Sequence, residues 1–181
     1  KSAIQRTIWR NKAEKGIILF DEFAKQLKFK NVLESVEFYY QAIRKQNGAI
    51  GIILQSINQL PNNSTSASIL ENTQVIYSLR NEKGYDELVN RLHLSSHDLN
   101  QLKSIRNQLK GERKYTEMFI KIGKDSNVFR LEVPPEVHAA YLTDGEENET
   151  IMALYRKHGN METAITHFVT NRSTTTNEPN I

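Results

Sequence analysis

The stretch that most constrains this chain is Gly16-Ile17-Ile18-Leu19-Phe20-Asp21-Glu22-Phe23. Four large apolar residues follow a glycine and stop abruptly at two carboxylates. So unbroken an apolar run predicts a strand buried on both faces, as in a parallel sheet. The acids then fall at the strand's carboxyl end, where open α/β sheets hold their ligands. An acidic pair there suits nucleotide hydrolysis. One carboxylate holds the water shell of Mg²⁺, and the next orients or deprotonates the attacking water. This is the Walker B pattern. The same octapeptide also arises where a strand merely exits into a helix, because acids favour helix N-termini. Taken alone, it leaves both readings open.

The residues that follow extend the pattern. Residues 23–30 are ambiguous. From Val32 to Ile43 apolar residues recur at helical steps (Val32, Val36, Tyr39, Ile43), and Asn31 is a candidate cap. Asn47-Gly48 predicts the helix end, and Ala49–Leu54 a second buried strand. Strand, helix and strand in this order fit a right-handed parallel crossover. Gln55-Ser56 would then lie beside Asp21-Glu22.

Further along, the sequence predicts a short helix at 67–72, a third strand at 74–79 and helices at 85–92 and 95–109, with Ser95 and Asp98 close to a capping box. Residues 115–122 and 127–133 alternate as an antiparallel hairpin, broken by Pro134-Pro135. Helices follow at about 135–142, 146–158 and 160–170. A short helix is expected within residues 1–15, and a disordered polar tail over 173–181.

At 181 residues the chain suits one domain, here 1–172 plus the tail. It has no cysteine, which removes disulfides and thiolate chemistry and fits a cytoplasmic location. No apolar run approaches a membrane span. The net charge is +3, but residues 1–50 hold ten Lys or Arg against five acids. That basic quarter could face a phosphate-bearing partner or form a solvated surface. The chain opens at Lys1 without an initiator Met, so a piece of a longer protein is expected.

No Gly-x-x-x-x-Gly-Lys-[Ser/Thr] loop occurs among the eight glycines. His93 and His97 have metal-compatible spacing, but Leu94-Ser95-Ser96 between them reads as a helix break. Gln55, after a buried strand, can hydrogen-bond a γ-phosphate oxygen and a water, or simply satisfy backbone. Arg44-Lys45 near a helix end is either a cation offered to a neighbouring subunit's nucleotide or a helix-terminal cation. Arg80, after the third strand, has the same ambiguity.

The order Ile-Ile-Leu-Phe-Asp-Glu-Phe, Arg44-Lys45-Gln46-Asn47-Gly48, Leu54-Gln55-Ser56-Ile57 and Glu71-Asn72-Thr73 resembles the conjugation ATPases of type IV secretion systems, and most of all the TraG family. Pro134-Pro135-Glu136-Val137-His138 resembles that family's late hairpin exit. The resemblance covers about residues 15–170. It implies an α/β fold, the C-terminal portion of a RecA-like P-loop NTPase domain: a parallel sheet flanked by helices, a late antiparallel hairpin, then C-terminal helices. It implies ATP and Mg²⁺ as ligands of the whole protein. Asp21 would be the Mg²⁺ residue acting through water, Glu22 the catalytic base, Gln55 a γ-phosphate sensor and Arg44 the leading trans cation. The implied partners are the protein's own N-terminal region with Walker A, other copies in a hexamer, secretion-channel proteins and DNA. The implied location is cytoplasmic, peripheral at the inner membrane. The fragment alone is expected to be inactive. The competing reading is a non-catalytic α/β assembly or nucleic-acid-binding module, in which Asp21-Glu22 only caps a helix.

Overall fold

Strand β1 (Gly16–Phe20) pairs in parallel with β2 (Gly48–Ile52), in register from Gly16 opposite Gly48 to Phe20 opposite Ile52. The computed structural model describes residues 15–29, 31–108, 114–143 and 145–175. The helix expected before β1 lies outside them.

The connection between the two strands is helical. Helix α1 (Phe23–Gln26) is one turn long, and α2 (Val32–Ala42) carries the main crossover. Val36 and Tyr39 are its buried residues, as the spacing predicts. Asn31 stands at the cap position of α2, but its side chain makes no capping bond. Its carbonyl instead accepts from the N–H and hydroxyl of Ser35, at 3.2 and 2.6 Å. A 3₁₀ turn, Ile43–Gln46, follows, and Asn47 takes the left-handed conformation at φ 59°. Gly48 is required by proximity: a Cβ there would lie 2.6 Å from Cγ1 of Ile43.

The parallel pair corrects one expectation. β1 is not buried on both faces. Ile18, Phe20, Ile50 and Ile52 face inward, and Phe20, Ile50 and Ile52 pack against a core of Phe23, Val36, Leu60 and Ile69. Ile17 and Leu19 point the other way and are 73% and 64% exposed. Strand alternation divides the apolar run between a covered and an uncovered face.

After β2 come a 3₁₀ turn (Ile57–Gln59) and α3 (Ser64–Glu71), whose cap Asn63 accepts from the Ser66 N–H at 2.9 Å. Strand β3 (Val75–Ser78) does not join the parallel pair. It runs antiparallel to β5 (Tyr115–Ile122), with Val75 opposite Ile122. The short β4 (Asn107–Gln108) and β6 (Asp125–Leu131) also pair with β5. Gly123 turns the β5–β6 hairpin at φ 58°. Helices α4 (Tyr85–Leu92) and α5 (Ser96–Ser104) cover this sheet through Tyr85, Leu94, Leu102, Ile105 and Phe119. α5 is shorter than the predicted 95–109, because the chain extends at Ile105 (ψ 127°) and enters β4.

The chain divides into two compact units. The first reaches Asn107 and takes in Glu117–Arg130, and so holds the elements described above except Gln108 of β4, Tyr115 and Thr116 of β5 and Leu131 of β6. The second comprises Gln108–Thr116 and the chain from Leu131 on. It contains α6 (Pro135–Ala140), α7 (Gly145–His158) and α8 (Met161–Thr175). Gly159 makes the α7–α8 turn at φ 68°, and Ala139, Ile151 and Ala164 are buried. α8 enters the segment expected to be a disordered tail, and residues 176–181 lie outside the described residues.

Candidate active site

The backbone at the carboxyl edge of the parallel pair explains how Asp21 and Glu22 are presented. The N–H of Ile53 donates to the carbonyl of Phe20 at 2.9 Å, and the carbonyl of Ile53 accepts from the N–H of Phe23 at 3.1 Å. Asp21-Glu22 is therefore the excursion between two bonds to a single residue, Ile53, just past the end of β2. Phe20 and Phe23, on either side of it, meet edge to face at 5.9 Å and anchor the excursion in the core. Both acids stay exposed.

Glu22 has φ 48° and ψ 43°, in the left-handed region. For a residue with a Cβ that costs about 1 kcal/mol and is held only where the surroundings demand it. Glu22 precedes α1 as its cap residue, yet its side chain makes no capping bond. Its carboxylate pairs with the Lys25 ammonium. Oδ1 of Asp21 accepts from the N–H of Glu22 at 2.8 Å. Neither acid therefore does the job of a helix cap. Among the described residues no group of three His, Cys, Asp or Glu could hold a metal on its own.

Gln55 stands three positions beyond Ile52, on the same edge. Its N–H donates to Oε1 of Gln59 at 2.9 Å, and its carbonyl accepts from Nδ2 of Asn81 at 3.2 Å. Ser56 caps the turn that follows, its hydroxyl accepting from the Asn58 N–H at 3.3 Å. Arg91 of α4 ties the rest of the loop down. Its Nη1 donates to the carbonyls of Ile57 and Leu60, both at 2.9 Å, and its Nη2 to that of Pro61 at 3.1 Å. The exposed Gln55 side chain thus rises from a backbone fastened by side chains of three other residues.

The structure brings Asp21, Glu22 and Gln55 to one edge and does not bring Arg44 there. Arg44 lies in the 3₁₀ turn before Gly48, at the amino end of β2, and it is exposed. The four residue steps of β2 alone span about 13 Å. Lys45 lies on the same far edge, also exposed. Arg80 is engaged by Glu82, with Nε donating to Oε1 at 3.0 Å. His93 takes a left-handed C-cap conformation at φ 50°, and the helix break between it and His97 is real.

Sequence reasoning passed over Asn81, Gln59 and Arg91. The available signals were slight: Asn81 directly follows the third strand, and Arg91 sits between apolar positions of α4. It also read Asp98 only as a cap. Asp98 is 2% exposed. It does complete the capping box with Ser95, accepting from that N–H at 2.9 Å. It also accepts from the Ser126 hydroxyl at 2.6 Å and the Lys121 ammonium at 3.1 Å. Burial pushes its pKa up, but the bonds from Ser126, Ser95 and Lys121 outweigh that and hold the carboxyl well below the usual range.

A parallel β-α-β unit with an acidic pair and a glutamine at its carboxyl edge, followed along the chain by an antiparallel sheet and C-terminal helices, has the form of the distal part of an α/β P-loop NTPase domain. The family comparison agrees: residues 3–172 match the TraG P-loop domain, and the chain belongs to that family of conjugation-related P-loop NTPases. No curated protein matches the chain. Among the described residues no helix is long and apolar enough to cross a membrane.

Proposed function

We propose that this chain supplies the Asp-Glu half of an ATP-hydrolysing site in a conjugation motor, with the phosphate-binding loop contributed by sequence upstream of Lys1. One observation carries this reading. Asp21-Glu22 is held out between two bonds to Ile53, next to Gln55, with a strained backbone and no capping bond to account for it. The capping alternative lacks its hydrogen bond.

The donor set suits Mg²⁺. This ion is hard, keeps several waters, and needs only one or two protein carboxylates when nucleotide phosphates supply the rest. Asp21, exposed and with Oδ1 already oriented by the Glu22 N–H, would hold it through water. When bound, Mg²⁺ neutralises charge developing on the phosphates. Glu22 takes the proton of the attacking water, which requires its contact with Lys25 to open. Gln55 orients that water and a γ-phosphate oxygen. The proposal extends to ATP as nucleotide and to a homo-oligomer, a hexamer, that acts at the cytoplasmic face of the inner membrane with secretion-channel proteins and DNA. Its basis beyond the site is family membership.

The test uses the protein that carries both this chain and the phosphate-binding loop. Glu22→Gln should lower ATP turnover by about 10²–10⁴-fold while nucleotide still binds, because the amide keeps the shape and cannot accept the proton. Asp21→Asn should instead weaken Mg²⁺-dependent nucleotide binding. Full turnover in both variants would sink the assignment. The 181-residue chain alone should not hydrolyse ATP, since its sequence holds no Gly-x-x-x-x-Gly-Lys-[Ser/Thr] loop to cradle the β- and γ-phosphates.

Arg44 enters as a residue acting in trans. Its location on the edge away from Asp21-Glu22 leaves it no short path to that pair within its own subunit. A guanidinium suits a neighbour's phosphate because its planar fork stays charged. Arg44→Ala should leave nucleotide binding intact and cut turnover. Mixing it with Glu22→Gln subunits should restore some activity. If mixed oligomers form and never exceed the separate mutants, the trans role is wrong.

A further inference from the structure

The carbonyl of Gln55 is held by a residue from outside its own loop, and the surroundings of that residue are built to hold it. Nδ2 of Asn81 reaches the Gln55 carbonyl at 3.2 Å across 26 residues of sequence. The Asn81 backbone is fixed in turn: its N–H donates to the hydroxyl of Tyr85 at 3.3 Å, and its carbonyl accepts from the N–H of Gly84 at 3.0 Å. Tyr85 is 5% exposed and belongs to the core under the antiparallel sheet. Gly84 leaves room for the amide, since a Cβ there would lie 3.0 Å from Nδ2 of Asn81. Its φ of −108° is open to any residue, so the need for glycine is steric.

We propose that Asn81 is a positioning residue for Gln55, fixing the peptide group that follows the Cα from which the carboxamide projects and tying it to the end of β3. This rests on the hydrolytic reading of Gln55. Gln59 holds the N–H of Gln55 from within the same loop, at 2.9 Å. With the carbonyl fixed as well, the peptide groups on both sides of the Gln55 Cα are held. A side chain that must meet both a phosphate oxygen and a water gains its effect from such orientation, since small misplacements of a positioned group cost large factors in rate. Asn81 touches neither nucleotide nor water in this scheme and acts through Gln55.

Two arms test it. In the 181-residue chain, hydrogen exchange should rise in the peptide spanning 53–60 for Asn81→Asp, which keeps the shape and removes the donor, and for Gly84→Ala, which crowds the amide. The helix at 96–104 should exchange as before, which shows that the fold is intact. Unchanged exchange at 53–60 in both variants overturns the proposal. In the ATP-hydrolysing protein, Asn81→Asp should lower kcat about ten-fold with KM within about two-fold. Added to Gln55→Ala, it should lower kcat less than about two-fold further, because its effect is already spent. Full additivity overturns the proposal, and so does an unchanged kcat. A silent Gln55→Ala sinks the hydrolytic reading of Gln55 and the kinetic half of this proposal with it. The exchange arm involves no nucleotide and separates that failure from a failure of Asn81 to hold the loop.

Discussion

Two acidic settings in the first unit differ in almost every physical respect. Asp98 is buried, and every strong donor around it is turned toward it: the Ser95 N–H and hydroxyl, the Ser126 hydroxyl and the Lys121 ammonium. Asp21 and Glu22 are exposed, and their polar contacts come from their own neighbourhood, Glu22 and Lys25. The first carboxylate has the strongly shifted titration, and the second pair has the strained backbone. A shifted pKa is a common sign of a functional site, but structural ion-pair networks shift pKa values too. At Asp98 the donors leave no capacity for a substrate. At Asp21-Glu22 the backbone is strained around exposed acids whose polar contacts are local, to the Glu22 N–H and the Lys25 ammonium. The exposed, strained pair is therefore the better candidate for chemistry.

The comparison breaks most visibly at Asp98. Removing one partner of a buried pair strands the other, so Asp98→Ala should destabilise the first unit by about 3–5 kcal/mol. A fall in denaturant midpoint at constant m would measure it. Its sign with pH follows from the depressed folded pKa. The stabilisation is complete from about one pH unit above the unperturbed value of 3.8 and is lost as pH falls through that value toward the folded one. Acid titration of the wild type should show that loss beginning below about pH 5, and Asp98→Ala should flatten it. An Asp98→Ala variant as stable as wild type would mean that the network contributes nothing net.

The same contrast explains what the sequence made legible. The run Ile17–Phe20, the helical spacing of Val36 and Tyr39, and the glycine after Asn47 each carry a local signal, and each appears as an element close to where it was expected. The capping box at Ser95-Asp98 was legible for the same reason, being four residues long. What was not legible depends on distant pairing. Burial of β1 on one face only is decided by what lies against it. β3 pairs with a strand some forty residues later, which its own residues do not announce. At the site, Asp21, Glu22 and Gln55 were visible because strand ends carry them. Asn81 and Arg91 were not, because a side chain bonded to a remote carbonyl leaves no periodic trace. Lys121 left a faint one: it shares the inward face of β5 with Phe119, an unusual position for an unpaired lysine.

A smaller effect of opposite sign is expected at Glu22. Glycine occupies the left-handed region without a Cβ penalty, so Glu22→Gly should relieve the strain. The predicted gain is about 1 kcal/mol, less what glycine adds to the entropy of the unfolded chain. Thermal unfolding of the 181-residue chain would measure it, with ATP turnover of the complete protein measured in parallel. Turnover should be lost in any case, because glycine removes the base, and unchanged or raised stability would show that the Glu22 side chain serves the chemistry and not the fold. A clear loss of stability would show that the Glu22 side chain supports the fold after all.

The smallest effect sharpens the comparison from the side of the cation. Lys121 and Lys25 both pair with acids, but Lys25 is 71% exposed and its partner Glu22 54%. An exposed pair three residues apart gains little from Coulomb attraction in water and gives up side-chain freedom to form. Lys25→Ala should therefore change stability by no more than about 0.5 kcal/mol, against several for the loss of Asp98. In the hydrolytic reading the contact must open before Glu22 can accept a proton, so turnover should be kept or modestly raised. The measurement is kcat and nucleotide affinity for Lys25→Ala beside wild type. If kcat collapses while nucleotide still binds, the ammonium is itself part of the chemistry, and Glu22 does not work as a free base at this edge.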